Sequence, residues 1–238
     1  MVGYNNYFLY LCLSLPALLL GLFAQFKVQS NFNKYSRIGT RIGATGAQIA
    51  RTMLDNNGLE SIAIEQTSGR LSDHYDPGKK VLRLSKEIYY GQSIAAAGIA
   101  AHEAGHALQH ANGYLPLHIR SIMVPTVQLG SWLGPIMFSI GLVLEYMMAN
   151  SDIGLQIAWL GIILFAATAI FSIITLPVEL NASRRAKTWL AQTVGFTPQE
   201  MQGVNQMLDS AALTYVAAAV QAVMSVLYYA TILLRRRD

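Results

Sequence analysis

The chain has 238 residues and a formal net charge of +4, and 13% of its residues are charged whereas 53% are hydrophobic. Soluble globular domains carry about 25% charged residues, so this composition argues against a cytosolic globular enzyme, a nucleic-acid-binding protein and a disordered chain. The single cysteine, Cys12, excludes an intramolecular disulfide and a cysteine-based zinc cluster. The composition therefore indicates a membrane protein with a polar part attached.

The first 26 residues contain no charged side chain and are mostly aliphatic. A bilayer core about 30 Å thick needs roughly 20 apolar helical residues, so the block 1–26 is long enough to span it. The block lacks the basic start and the small-residue cleavage site of a signal peptide. We therefore expect a permanent transmembrane helix here.

Residues 27–120 have the pattern of a small α+β domain. A helix is predicted over 45–54, with Thr45 as N-cap and an end at Asn57-Gly58. Two short apolar runs, 62–64 and 81–84, follow on either side of the turn sequence 76–78, which predicts a β-hairpin or a sheet of two or three strands. The Ala-rich stretch 93–111 predicts a second, buried helix.

This second helix carries the motif H-E-x-x-H as His102, Glu103 and His106. Residues four apart lie on one face of a helix, so both imidazoles can reach one metal ion. Zinc held in this way activates a water molecule and polarises a carbonyl group, and the glutamate of the motif serves as general base. The motif predicts one zinc ion with Glu103 as the base.

Three further uncharged blocks follow, each 24 to 26 residues long, at 121–144, 153–178 and 210–234. With the first block they predict four transmembrane helices. Four buried helices of a soluble protein are the alternative, but such helices normally carry a charged stripe, which these blocks lack.

A catalytic zinc site usually has three protein ligands, and two residues compete for the third place. His110 lies eight residues after His102, which rotates it about 80° away on the helix. The metzincin pattern also fails, because Gln109 and Asn112 stand where that pattern needs glycine and histidine. We therefore interpret His110 as a surface residue or a support for a ligand.

Glu179 is the other candidate, and it directly follows the block 153–178. It can be read as a carboxylate at the start of a new helix, stabilised by the helix dipole. The predicted topology, however, returns it to the side of the membrane that carries His102, and a lone carboxylate at a membrane boundary suggests a functional role. We favour Glu179 as the third ligand.

Basic residues are distributed unevenly, since 14 of the 17 lysines and arginines lie in 27–120 and 178–209. The positive-inside rule places both segments in the cytoplasm. Arg235, Arg236 and Arg237 depart from this pattern. Either the block 210–234 is re-entrant or interfacial, or these three charges are outweighed by the others.

The chain resembles the YugP-type membrane zinc metallopeptidases of bacteria over nearly its whole length. The matching stretches are Leu15–Ala24, 33–36, 73–77, 80–85, Ala101–Gln109, Leu176–Ala186 and Ala211–Ala218. The resemblance implies a single-zinc peptidase of the bacterial cytoplasmic membrane with His102, His106 and Glu179 as ligands and Glu103 as base. The active site would face the cytoplasm in a zincin-like domain.

More distantly the chain is similar to HtpX-like and CaaX-type proteases of the gluzincin kind, whose second motif reads E-x-x-A-D. Here the motif ends in Ser183 instead of aspartate. In those relatives the aspartate is expected to orient a zinc-bound histidine. Ser183 can accept a hydrogen bond in that role but contributes no charge.

By the same analogy, Val81–Ser85 would be the edge strand beside the zinc helix and would pair with a substrate backbone. The stretch 73–77 would then lie at the rim of the cleft. His74 or Tyr75 would stabilise the oxyanion of the reaction, with Arg184 and Arg185 as rival candidates.

The prediction is a mainly helical membrane protein whose segments 27–120 and 179–209 form the cytoplasmic zinc site. Its function would be that of an integral-membrane zinc endopeptidase, with membrane or membrane-adjacent polypeptides as substrates, the lipid bilayer as its surroundings and no nucleic-acid partner. A zinc-binding membrane scaffold or adaptor without proteolytic activity is the alternative. A transporter ranks last, because the blocks lack interior charges and paired broken helices.

Overall fold

A computed structural model describes the backbone of residues 2–148 and 152–234 and the side chains from Leu11 onward within these ranges. The described chain is mainly helical and has one small sheet. In chain order its elements are α1 (Val2–Tyr35), α2 (Gly46–Asp55), β1 (Ala63–Thr67), β2 (His74–Asp76), β3 (Val81–Ser85), α3 (Lys86–Tyr90), α4 (Ile94–Ala111), α5 (Leu115–Met147), α6 (Asp152–Trp189) with a π-helical turn (Leu190–Val194), and α7 (Pro198–Leu234).

Four of the described helices contain stretches that are long and apolar enough to cross a membrane, as the uncharged blocks predict. These stretches are Leu11–Tyr35, Leu115–Met147, Asp152–Val194 and Pro198–Leu234. Each helix extends beyond its uncharged block into the flanking polar sequence. Arg235, Arg236 and Arg237, on which the prediction for the last segment depends, lie outside the described residues.

The length of α6 corrects one interpretation of Glu179. The helix begins at Asp152 and runs through Pro177 to Trp189, so Glu179 lies in its interior. The interpretation of this residue as a carboxylate at the start of a helix is therefore wrong, because no helix begins there.

The described residues separate into two compact units. The first contains those of 1–23, 119–176 and 214–238, and the second contains 24–118 and 177–213. In the first unit α5 and α6 pack closely at glycines: a Cβ atom at Gly141 would meet the backbone of Ala158, and one at Gly161 would meet that of Phe138. Small residues at such contacts allow apolar helices to pack backbone to backbone.

The second unit begins its polar part with α2, whose start is fixed by a reciprocal cap. The Thr45 hydroxyl accepts the backbone N–H of Gln48 at 3.2 Å, and the Gln48 side chain accepts the N–H of Thr45 at 2.8 Å. Such a capping box satisfies two N–H groups that the first helical turn leaves without partners. The predicted helix and its N-cap are confirmed.

The sheet has three strands in the order β1-β3-β2. β1 pairs with β3 in parallel, and β2 pairs with β3 antiparallel, with Tyr75 opposite Leu82. The two apolar runs recognised in the sequence are thus parallel neighbours and do not form a hairpin. The expectation that Val81–Ser85 is an edge strand is also wrong, because β3 has a partner on both sides and its backbone groups are already paired.

A single apolar core joins the sheet to the helices of the second unit. It is built from side chains of α1, α2, β3, α3, α4, α6, α7 and the π-helical turn. Its largest fully buried members are Phe32, Met53, Leu54, Leu82, Leu84, Ile88, Leu190 and Val204. α4 runs through this core with most of its length buried, so its motif residues are held rigidly.

Candidate metal centre

His102 and His106 lie one turn apart on α4, as the motif predicts. Their ring centroids are 4.7 Å apart, and the ring planes are nearly perpendicular. His106 is buried and His102 is partly exposed. α4 begins at a capped residue, since the Ser93 hydroxyl accepts the N–H of Ala96 at 3.1 Å, and it continues without a break to Ala111. Both imidazoles are thus fixed to one helical face.

Glu179 faces both imidazoles from α6. Its Oε2 lies 3.1 Å from His102 Nε2 and 3.5 Å from His106 Nε2, and the residue is 2% exposed. One ligand atom from each of the three residues lies within 4.8 Å of the others, so the group could hold a metal ion. Among the described residues this is the one group of three or more His, Cys, Asp or Glu side chains with such an arrangement.

Gly105 allows α4 to approach α6 closely enough for this convergence. A Cβ atom at position 105 would lie 2.8 Å from the carbonyl oxygen of Ala182 and 3.3 Å from its Cα atom. These are backbone atoms of a helix and cannot move aside as a flexible side chain can. Gly105, which occupies an unspecified position of the H-E-x-x-H motif, therefore permits the short distance between the two helices.

We expect Gly105→Ala to lower the free energy of unfolding by about 1–3 kcal/mol, the usual cost of overpacking a core, and to weaken zinc binding. Thermal unfolding and chelator competition would measure the two effects. Gly98→Ala is the matched control on the same helix, because a Cβ there would make ordinary contacts of 3.7 Å with Val204. Equal behaviour of the two variants would contradict the role of Gly105.

Both imidazoles are oriented by a hydrogen bond at Nδ1. His102 Nδ1 lies 3.1 Å from the Ser183 hydroxyl, and His106 Nδ1 lies 2.9 Å from Gln109 Oε1. With Nδ1 engaged, the two Nε2 atoms are directed toward Glu179. Two imidazole nitrogens and one carboxylate oxygen form a donor set that suits zinc, so the residues fit the predicted ion.

The electrostatics of His106 reflect its position in this cluster. Burial by itself lowers the pKa of an imidazole, but the hydrogen bond and negative charge of Glu179, with a further contribution from Glu103, raise the pKa of His106 above its ordinary value. Protons therefore compete with a metal ion for this site, and the competition grows as the pH falls.

Glu103 is in contact with strand β2. Its Oε2 accepts the backbone N–H of Tyr75 at 3.1 Å, and Glu103 is buried. Just before the strand, Asp73 accepts the N–H of Ser85 at 2.7 Å and its hydroxyl at 3.2 Å. Burial raises the pKa of Asp73 despite these hydrogen bonds, and the nearby Glu103 charge adds to the rise. β2 is thus anchored at its start beside the motif glutamate.

The two predicted oxyanion donors have different surroundings. The Tyr75 hydroxyl lies 2.9 Å from His110 Nδ1, and burial, followed by the charge of Asp76, raises the pKa of Tyr75, which keeps its phenol protonated. His74 is exposed, with Nδ1 2.8 Å from Ser72 O and Nε2 3.4 Å from Arg83. Neither oxyanion assignment is tested by these contacts, and both stay predictions.

The rejected ligand and the rival arginines also have definite positions. His110 contacts Tyr75 and is not a member of the described metal-binding group. Arg185 Nε donates to Asn181 Oδ1 at 2.9 Å, and Arg184 is exposed.

Sequence reasoning missed the role of Gln109. It entered only as the residue that breaks the metzincin pattern, whereas the structure places its amide against His106. The position of Gln109, one helical turn after His106, could have indicated a contact between the two side chains. A polar residue in an otherwise apolar stretch of a buried helix generally needs a partner.

The chain is similar to known proteins over nearly its whole length. The model of a family described as "Putative neutral zinc metallopeptidase" matches residues 10–234. The "Putative membrane protease YugP" of Bacillus subtilis (strain 168) is 45% identical over 230 residues, which are 97% of this chain and 99% of that protein. No solved structure matches the chain. With matches that span nearly all of its length, the chain belongs to the family described as "Putative neutral zinc metallopeptidase".

Proposed function

We propose that this chain is an integral-membrane, zinc-dependent endopeptidase of the gluzincin kind with Glu103 as general base. The observation that carries the proposal is the convergence of His102 Nε2, His106 Nε2 and the Glu179 carboxylate from two helices. The family membership and the membrane-protease relative support the same conclusion.

The three residues would hold one zinc ion. When bound, zinc would lower the pKa of a water molecule and polarise the scissile carbonyl group. Ser183 and Gln109 would keep the ligand imidazoles in place through their hydrogen bonds to Nδ1.

Glu103 would take a proton from the attacking water and return it to the leaving amine nitrogen. The N–H of Tyr75 holds one carboxylate oxygen, which restricts the rotation of the side chain. A base restrained in this way needs little rearrangement to reach a reacting group. For the oxyanion we propose the Tyr75 phenol, since it is protonated and attached to the strand that contacts Glu103, and His74 remains the second candidate.

Strand β2 is the proposed binding edge for the substrate backbone. It is an edge strand, and it lies beside Glu103, whose carboxylate accepts the N–H of Tyr75 at 3.1 Å. A peptide lying along this edge in the extended conformation would pass beside the general base.

Membrane or membrane-adjacent polypeptides are the proposed substrates. Glu179 lies on the same helix as the uncharged block 153–178 and directly follows it, which supports a site close to the bilayer. The concentration of basic residues in 27–120 and 178–209 supports a cytoplasmic orientation in the bacterial inner membrane.

Removal and return of the metal tests the proposal. We expect the purified full-length protein in detergent to cleave casein or itself, to stop after dialysis against a chelator, and to recover on addition of one equivalent of zinc. A protein that binds zinc but cleaves neither substrate would instead be the scaffold or adaptor. Activity that survives complete removal of the metal would also contradict the proposal.

A further inference from the structure

Gln109 connects the two helices of the metal centre and is itself completely buried, with an exposed fraction of 0%. It lies three residues after His106 on α4. A buried amide that lacks hydrogen bonds is unfavourable, because it loses its hydrogen bonds to water without replacement. The hydrogen-bond partners of the Gln109 side chain therefore indicate the role of this residue.

The amide of Gln109 has partners on both helices. On α4 its Oε1 lies 2.9 Å from His106 Nδ1. On α6 its Nε2 donates to the backbone carbonyl of Val178 at 2.8 Å and to Asn181 Oδ1 at 3.0 Å. The amide oxygen of Gln109 thus contacts the proposed ligand His106, and the amide nitrogen donates to α6, the helix that carries the proposed ligand Glu179.

These partners determine which way the amide is oriented. The carbonyl of Val178 can only accept a hydrogen bond, so the amide atom facing it must be the nitrogen. Asn181 Oδ1 is likewise an acceptor, since it also accepts from Arg185 Nε at 2.9 Å. The oxygen of Gln109 must then face His106.

The orientation of the amide in turn selects the tautomer of His106. An amide oxygen can only accept, so His106 Nδ1 must carry the proton. In the neutral ring Nε2 then presents its lone pair on the side where Glu179 and His102 lie. This is the nitrogen and the protonation state that a metal ion requires.

The donors of Gln109 act on the other side of the site. Val178 and Asn181 flank Glu179 on α6, one residue before it and two residues after it. A shift of α6 along its axis would break both hydrogen bonds, so they hold the stretch that carries Glu179 in register with α4.

We propose that Gln109 is a positioning residue of the metal centre that selects the Nδ1-protonated tautomer of His106 and ties this imidazole to the Glu179 stretch of α6. The inference rests on the proposed zinc site and deepens it. It assigns to Gln109 no contact with substrate.

The variant Gln109→Met tests the proposal, because methionine has a similar length but neither the acceptor nor the donors. Purified full-length protein would be titrated with zinc in competition with a chromophoric chelator, and with cobalt to record the visible absorption of the bound ion. We expect about 10- to 100-fold weaker zinc binding, the usual effect of losing such a partner, and an altered cobalt spectrum.

Gln206→Met is the matched control. It makes the same substitution at an exposed glutamine, whose Oε1 accepts the Tyr35 hydroxyl at 2.7 Å between α1 and α7 of the same unit. Because the effects of distant, unconnected sites are independent, its zinc affinity should stay within about twofold of the original protein.

A measurement on the unaltered protein covers the case in which Gln109→Met fails to fold. Nitrogen NMR of the zinc-free protein with labelled histidine, recorded at a pH at which the ring is neutral, should show His106 protonated at Nδ1. Protonation at Nε2 would overturn the inference, and so would Gln109→Met with unchanged zinc affinity and cobalt spectrum. Those two results leave the proposed peptidase standing, whereas an unaltered protein that binds no zinc would overturn both.

Discussion

Glu103→Gln is expected to reduce cleavage by about 10²–10⁴-fold, the contribution that a positioned general base makes. This corresponds to about 3–5 kcal/mol of transition-state stabilisation. The substitution keeps the size of the side chain, and its amide oxygen can still accept the N–H of Tyr75, which lies 3.1 Å from the carboxylate. Zinc binding and the free energy of unfolding should therefore change little. The loss of cleavage activity can then be attributed to the loss of proton transfer by Glu103.

The comparison needs zinc content and cleavage of casein, or self-cleavage, measured on the same preparations. Glu60→Gln is a suitable control, since it makes the same change of charge at an exposed glutamate of the second unit. If the original protein and Glu103→Gln both hold one zinc ion and cleave equally well, Glu103 is not the base. If both are inert, the peptidase proposal fails in favour of the scaffold.

Glu179→Ala is expected to weaken zinc binding by about 10²–10³-fold. Structural zinc sites bind with about 10–16 kcal/mol, which divided among four ligands gives roughly 2.5–4 kcal/mol for each. The substitution also leaves a cavity and removes the carboxylate that lies 3.1 Å and 3.5 Å from the two imidazoles. Cleavage should be lost with the metal and should return in part at high zinc concentration.

Two further variants sharpen this test. Asp209→Ala removes an acidic side chain of the same unit that pairs with Lys187 at 2.6 Å, and it should leave zinc affinity unchanged. His110→Ala addresses the rival third ligand, and zinc binding should survive it because His110 contacts Tyr75. Undiminished zinc occupancy in Glu179→Ala would remove Glu179 from the site, and loss of zinc in His110→Ala would place His110 there.

The elements with strong local signals were predictable from the sequence. The four apolar helices follow from the absence of charge over 24 to 26 residues at a time. The N-cap Thr45 and the helix that carries His102 and His106 follow from residue types at fixed spacing. In each case the interactions that form the element lie within one turn of the helix or within one segment.

The predicted sheet of two or three strands is confirmed, but the order of its strands was not predictable. Both apolar runs were recognised, whereas which strand is central depends on hydrogen bonds between strands. β2 is only three residues long, too short to be detected as a strand by alternation. The sequence therefore predicted β3 as the edge strand, whereas β2 is at the edge. The stretch that forms β2 and contacts Glu103 was predicted only as the rim of the cleft.

By itself the sequence predicted a metal site, because H-E-x-x-H on a helix places two imidazoles on one helical face. It also singled out Glu179 as the acidic residue of the later segment. Only the tertiary structure decided that α4 and α6 approach closely at Gly105 and that Gln109 bridges them. These contacts join residues about 70 to 80 positions apart. Such pairs form through the packing of helices, which cannot be predicted from the periodicity of residues within one helix.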